Sequence, residues 1–300
     1  MALTLDGRAA ARALKERLAG RLRALQAAGV EPALVMIRVG EDPASAVYVA
    51  AKEKASQRLG LRSETIVLPA DVSATALRAE IERCNADPLL HGVLLQLPLP
   101  AHLPQEDLLA AIDPRKDVDG FHPVNVGRLC LGLPGFVPAT PLGILRLLQH
   151  YEIEIAGRRV VILGRSRIVG RPLANLLSAQ APTGNATVTL CHSRTRDIAA
   201  VTREAEILVA AVGRRALVKA QMVAPGAIVI DVGMHREPDP QKPDKSRLFG
   251  DVDFDAVEPR VAAITPVPRG VGPMTVACLL ENTIQAAEWS HAQADAGTGG

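Results

Sequence analysis

Aromatic side chains are scarce in this chain of 300 residues, which has one tryptophan, two tyrosines and four phenylalanines. Stacking of bases needs aromatic faces and tracking of phosphates needs a strong basic excess, whereas the formal net charge here is only +2; nucleic acid is not expected as a partner. The four cysteines, Cys84, Cys130, Cys191 and Cys278, show neither C-x-x-C nor His-paired spacing. That argues against a zinc centre and a disulfide framework, so no metal is expected and the thiols read as free in a reducing compartment. No apolar run approaches the roughly 18 residues needed to cross a bilayer, so no membrane association is expected and the chain reads as cytoplasmic. The arginine-rich start has some features of a transit peptide. Asp6 and Glu16 interrupt it, however, and Leu14, Leu18, Leu22 and Leu25 form a helical stripe ending at Gly29, which predicts a first structural helix.

What is present is alternation. A strand is expected at 33–39, a helix at 43–59, a strand at 64–68, a helix opened by Ser73, a strand at 92–97 and a helix at 105–112. Residues 113–137 break the pattern with Gly120, Pro123, Gly127, Gly132 and Pro134, and read as a domain junction or cleft wall. Beyond a helix at 141–151 come strands at 159–163, 186–190, 206–210 and 227–231 and a helix at 169–180. The last helix is expected at 274–289. This order specifies an α/β fold of two three-layer domains. The first spans 1–140 and is completed by a C-terminal helix, 274–290, that returns to it; the second, 141–273, is of Rossmann type; 291–300 reads as a mobile tail.

The most informative stretch is Val160-Val-Ile-Leu-Gly-Arg-Ser-Arg-Ile-Val-Gly-Arg-Pro172, an apolar run that stops at a glycine turn and restarts as a helix. Backbone N–H groups and the positive helix end converge on an anion in such a turn, while Gly164 and Gly170 carry no side chain to block its approach. The spacing is not G-x-G-x-x-G, and an ordinary buried strand, turn and helix is the alternative. The next strand ends in Cys191-His-Ser-Arg-Thr195, without the acidic residue that holds a ribose 2′-hydroxyl in NAD sites. Arg165 and Ser166 with Ser193 and Arg194 instead suit a 2′-phosphate, which argues for NADP as cofactor.

Four segments could form a substrate site. Tyr48 and Lys52 stand one helical turn apart, on a helix that starts at the carboxyl end of a strand. They read either as a surface pair or as an aromatic wall with an amine withdrawn from water, whose lowered pKa would let it carry protons near neutrality. Gln96, in Gly92-Val-Leu-Leu-Gln-Leu-Pro-Leu-Pro100, is an amide in an apolar strand that either satisfies loop backbone or holds a lysine or a substrate heteroatom. Asp113-Pro-Arg-Lys-Asp-Val-Asp-Gly120 offers three carboxylates without EF-hand spacing, of which Asp119 is the one expected to bond an N–H-rich ring. Thr265-Pro-Val-Pro-Arg-Gly-Val-Gly-Pro-Met-Thr275 is a stiff helix-entry loop that reads as a ligand border, an interdomain hinge, or both.

Taken together, Tyr48-x-x-x-Lys52, Gln96-Leu-Pro-Leu-Pro100, Asp117-Val-Asp-Gly120, Gly164-Arg-Ser-x-x-Val-Gly-x-Pro172 and Thr265 to Thr275 resemble the bifunctional methylenetetrahydrofolate dehydrogenase/methenyltetrahydrofolate cyclohydrolase family, over about residues 5–288. The resemblance implies NADP-dependent oxidation of 5,10-methylenetetrahydrofolate and hydrolysis of the methenyl product to 10-formyltetrahydrofolate, in one-carbon metabolism, by a homodimer using one pocket for both steps. It implies that Lys52 manages protons, that Gln96 holds Lys52, that Tyr48 packs on the folate and that Asp119 grips the pterin. Leu95, Leu97, Pro268, Arg269, Gly270, Val271 and Gly272 would border the tetrahydrofolate derivative, and Gly164, Arg165, Ser166, Ser193 and Met234 would line the NADP site. Two departures stand out: Ala139 where the family often has Cys, and Arg269 where it has Gly. The residues alone leave two rival readings, an NADP dehydrogenase of another small substrate and a noncatalytic protein that has kept the cofactor fold.

Overall fold

The computed structural model describes residues 1–239 and 242–298. In chain order its elements are β1 (Leu3–Thr4), α1 (Gly7–Ala27), β2 (Ala33–Val39), α2 (Pro43–Leu59), β3 (Arg62–Leu68), α3 (Ala74–Ala86) and β4 (Gly92–Leu95). There follow α4 (Gln105–Leu109), α5 (Pro123–Leu131), α6 (Ala139–His150), β5 (Arg159–Leu163), α7 (Gly170–Ser178), β6 (Thr187–Cys191), α8 (Ile198–Thr202) and β7 (Ile207–Ala210). The remainder is β8 (Ile228–Asp231), β9 (His235–Asp239), β10 (Lys242–Phe249), α9 (Phe254–Val257), β11 (Ala263–Ile264) and α10 (Val271–Thr298). Two compact units result, one of residues 13–139 and 276 onward, the other of residues 1–12 and 140–275.

The first unit is built on a parallel sheet of order β3-β2-β4. Because β2 lies in the middle, both its faces must be covered, which is why Ala-Leu-Val-Met-Ile-Arg-Val runs apolar instead of alternating. Val35 and Ile37, with Val93 and Leu95 of β4, pack with Leu77, Ile81 and Cys84 of α3 and Leu108 of α4. Leu34, Met36 and Leu94 are buried on the opposite face. Shortening a side chain such as Ile81 to Ala would cost about 2–5 kcal/mol through lost burial and the cavity left behind. The leucine stripe of α1 is buried as the periodicity requires. Helix α2 starts where Asp42 accepts the Ser45 N–H at 2.7 Å, with Pro43 at its first turn, and Ser73 caps α3 by accepting the Ala76 N–H at 3.1 Å. Residues 113–137 are not a junction: they lie wholly inside this unit and contain α5. His122 caps that helix and Pro123 opens it, so a Gly/Pro count that resembled a break was helix punctuation.

The second unit holds a six-stranded parallel sheet, β1-β11-β8-β7-β5-β6. From β5 the chain steps outward to β6 and then crosses back to β7, so the connections leaving β5 and β7 diverge. The carboxyl ends of β5 and β7 therefore flank the switch point, where open α/β sheets bind ligands. A first domain beginning at residue 1 is corrected here: residues 1–12 belong to this second unit, because Leu3 and Thr4 pair with Ala263 and Ile264 as its edge strand. The β9–β10 hairpin, too charged to read as strands, is a further addition. Strand β4 ends at Leu95 instead of Leu97, and α10 continues to Thr298 where a tail was expected from 291. The last two residues of that tail lie outside the described residues.

Candidate active site

In the three-stranded unit, parallel pairing of β2 with β4 brings the start of α2 and the end of β4 to the same sheet edge. Lys52, two turns into α2, is only 8% exposed, and its Nζ donates to Gln96 Oε1 at 3.0 Å. Gln96 is fixed in turn: its N–H donates to the Ile37 carbonyl at 2.8 Å and its Nε2 to the Leu97 carbonyl at 2.6 Å. Burial pulls the Lys52 ammonium below its ordinary pKa, and the Asp119 carboxylate partly restores it. The same burial raises Asp119, opposed by the Lys52 charge. Each group thus keeps the other from neutralising fully, which leaves an amine able to exchange a proton. Tyr48, one turn before Lys52, is 39% exposed.

Asp119 is held by residues that the sequence did not single out for this task. The neighbouring Asp117 carboxylate is buried and accepts from Asn125 Nδ2 at 2.8 Å and from the N–H groups of Phe121 (3.2 Å) and His122 (2.8 Å). Burial pushes Asp117 up to about 7. On the other side Asn282 of α10 donates to the carbonyls of Val118 (2.8 Å) and Val137 (2.9 Å). The only advance signal was a polar residue inside the apolar run of the last helix. Leu95 corrects an expectation: its side chain sits in the core at 2% exposure, so it can meet a ligand only through its backbone. Leu97, partly exposed, remains a lining residue by position.

The cofactor candidates belong to the six-stranded unit. Leu163 and Cys191 are paired in register, and the Gly164 N–H donates to the Cys191 carbonyl at 2.9 Å, so the segments 164–166 and 192–194 leave the sheet side by side. Gly164 has a φ of 112°, and a Cβ there would collide with the Ala211 carbonyl; one on Gly170 would collide with the Gly164 carbonyl. Both positions are therefore closed to any side chain, the fit expected of a cradle that lets a diphosphate approach backbone. Ser166 Oγ accepts the Val169 N–H at 3.1 Å and so secures the turn into α7. Arg165, Ser193 and Arg194 are exposed beside this turn, the last two on a bend closed by Thr195 Oγ1 accepting the His192 N–H at 2.9 Å. Met234 has its methyl carbon 3.5 Å from where a Cβ on Gly272 would stand, which ties the third cofactor segment to the Pro268–Gly272 loop. Arg269 in that loop has a φ of 89°, a conformation glycine adopts freely and other residues rarely do.

Among the described residues no cluster of three or more His, Cys, Asp or Glu could hold a metal, and no helix is long and apolar enough to cross a membrane. Residues 5–119 match the family model described as tetrahydrofolate dehydrogenase/cyclohydrolase, catalytic domain, and residues 138–291 match that described as tetrahydrofolate dehydrogenase/cyclohydrolase, NAD(P)-binding domain. The chain is 53% identical over 294 residues to bifunctional protein FolD 1 of Myxococcus xanthus, covering 98% of this chain and 100% of that protein. It is 55% identical to bifunctional protein FolD of Treponema pallidum, covering 95% and 90%. Among solved structures it resembles the bifunctional FolD enzyme of Campylobacter jejuni at a TM-score of 0.89 and 44% identity, covering 96% of this chain and 99% of that one. The Trypanosoma brucei enzyme, complexed with NADP cofactor and an inhibitor, matches at a TM-score of 0.90 and 41% identity over 96% and 98%.

Proposed function

The chain belongs to the tetrahydrofolate dehydrogenase/cyclohydrolase family, and we propose that its own residues divide that chemistry as follows. Lys52 is the proton carrier of the hydrolysis: its neutral amine takes one proton of the water that adds to the methenyl carbon and returns it to the ring nitrogen as the C–N bond opens, while the carbinol hydroxyl gives its remaining proton to solvent as the formyl C=O forms. Gln96 sets the direction of the amine, because it accepts one of its hydrogens and is itself fastened at two points. Asp119 accepts from the N–H edge of the pterin, and Tyr48 lies against the folate's ring system. Leu97 and the Leu95 backbone border the substrate within the same unit.

Gly164, Arg165, Ser166, Ser193 and Met234 hold NADP, which accepts the hydride of the methylene carbon when bound. Gly164 gives the backbone approach; Arg165 and Ser193 carry the charge and hydroxyl that a 2′-phosphate needs. For hydride transfer the chain supplies chiefly position, whereas hydrolysis needs a group that changes protonation. The folate domain is thus residues 13–139 with α10 from Val276 onward, the NADP domain residues 140–275 with the first twelve. The enzyme is cytoplasmic, in keeping with four cysteines outside any disulfide, and a homodimer, as the family resemblance implies; sedimentation of the purified chain tests the latter.

The observation that carries this reading is a nearly buried amine 3.0 Å from a fixed amide oxygen, with a carboxylate's charge acting on it. Replacing Lys52→Met tests it. General acid-base catalysis contributes about 10²–10⁴-fold, so methenyl hydrolysis should fall by about 10³-fold while methylene oxidation stays within about 10-fold. Equal loss of both rates with folate binding intact would overturn the role of Lys52.

A further inference from the structure

The connection leaving β7 contains Val212, Gly213 and Arg214, three consecutive residues whose backbone N–H groups converge on one point. At the carboxyl end of a strand such a run of amides is an anion site. Here the anion is internal. The wholly buried Asp251 carboxylate accepts the Val212 and Gly213 N–H groups on Oδ2, at 2.7 and 3.0 Å, and the Arg214 N–H on Oδ1 at 2.9 Å. His235 Nε2 completes the set at 2.8 Å from Oδ1.

Asp251 is itself fixed by a second buried carboxylate. Asp231, the last residue of β8, accepts the N–H groups of Asp251 (2.8 Å) and Gly233 (2.9 Å) on Oδ1 and that of Val252 (2.9 Å) on Oδ2. Its own N–H donates to Thr265 Oγ1 at 2.7 Å. Two carboxylates thus bind six backbone amides from the segments 212–214, 233 and 251–252. The segment fastened at Val212 continues from Ala211, whose carbonyl fills the space that a side chain on Gly164 would need, and whose N–H donates to the Leu163 carbonyl at 2.8 Å.

We propose that Asp251 is a positioning residue for the dinucleotide: by occupying the amides of 212–214 it fixes the wall that closes the Gly164 turn, and so sets the cradle's shape before cofactor arrives. The inference rests on the reading of Gly164 as part of the NADP site. It also assigns the amides of 212–214 to an internal partner, so that they are not donors to a cofactor phosphate. Asp231 acts one step further back, through Asp251.

The test is steady-state kinetics of Asp251→Asn and His235→Gln in the full chain, with both reactions measured. Asparagine keeps the size, but loses the charge and turns an N–H₂ toward N–H donors. Asp251→Asn should raise KM for NADP at least 20-fold while kcat at saturating NADP and the NADP-independent hydrolysis stay within fivefold. His235→Gln should raise the same KM two- to fivefold, and it supplies the answer if Asp251→Asn does not fold. An unchanged KM for NADP in whichever variant folds would overturn the proposal. So would parallel loss of both activities, which marks a general structural defect. Failure of the unmodified enzyme to bind NADP would overturn the cofactor reading first and this inference with it, so the two failures are distinguishable.

Discussion

The Lys52 site and the Gly164 cradle solve different problems with different materials. The first depends on side chains whose charges are deliberately under-solvated: an amine and a carboxylate that burial drives toward neutrality and that hold one another back. The second depends on backbone, two glycines whose missing side chains admit other carbonyls and a loop curled around an internal carboxylate. Proton transfer tolerates small shifts of shape but needs the right pKa, whereas hydride transfer needs placement and leaves the electronics to the cofactor. Damage to either region should therefore appear in one reaction more than in the other.

The largest effect that sharpens this contrast is expected at Gly170. A Cβ on Gly170→Ala meets the Gly164 carbonyl, which is backbone and can yield only by moving the turn. Displacement of about 1 Å in a positioned site loses about 10²-fold, so NADP-dependent oxidation should fall by that factor while hydrolysis stays within threefold; a matching drop in hydrolysis would break the comparison. Next in size, replacing Arg165 and Ser193 by Ala together should reduce the preference for NADP over NAD by about 1–3 kcal/mol, the scale of charge-assisted hydrogen bonds. The ratio of kcat/KM values for the two cofactors measures it, and an unchanged ratio would place the 2′-phosphate elsewhere.

The smallest effect concerns Arg269. Its left-handed φ costs about 1–2 kcal/mol for a side chain, and glycine recovers that less about 0.5–1 kcal/mol of added flexibility in the unfolded chain. Arg269→Gly should thus raise Tm by about 1–2 °C, read by calorimetry. If the arginine side chain serves the folate, KM for the folate should rise at the same time; a lower Tm would mean that its contacts outweigh the strain.

The two regions also differed in how far the sequence exposed them. Lys52, Gln96 and Asp119 were legible as residue types: an amine one turn from a rare tyrosine, an amide in an apolar strand, a carboxylate in a loop. The structure brings all three into one unit. Gly164 and Gly170 were legible as interruptions of an apolar run, and four of the six strands of the larger sheet, β5 to β8, as short branched-aliphatic segments. Invisible were the supports that act over distance. Asp251 lies 37–39 positions from the amides it binds, and a carboxylate facing backbone has no periodicity to betray it. Strand β1 is two residues long, too short for a pattern, which is why the first twelve residues were expected in the other unit. The residues did not show which part of Leu95 faces the site: the alternation of a strand sends neighbours to opposite faces, and the register that puts Gln96 at the site puts the Leu95 side chain in the core.

The account stands most directly on the charge state of one amine. Isotope-edited NMR of the Lys52 side chain across pH, in the unmodified enzyme and in Asp119→Asn, reads it without reference to either reaction. Burial should place its midpoint below the ordinary lysine value of about 10.4, and loss of the Asp119 carboxylate, which raises it, should lower it further and shift the rising limb of the hydrolysis rate toward lower pH. A Lys52 midpoint at the ordinary lysine value, unmoved by Asp119→Asn, would contradict the account.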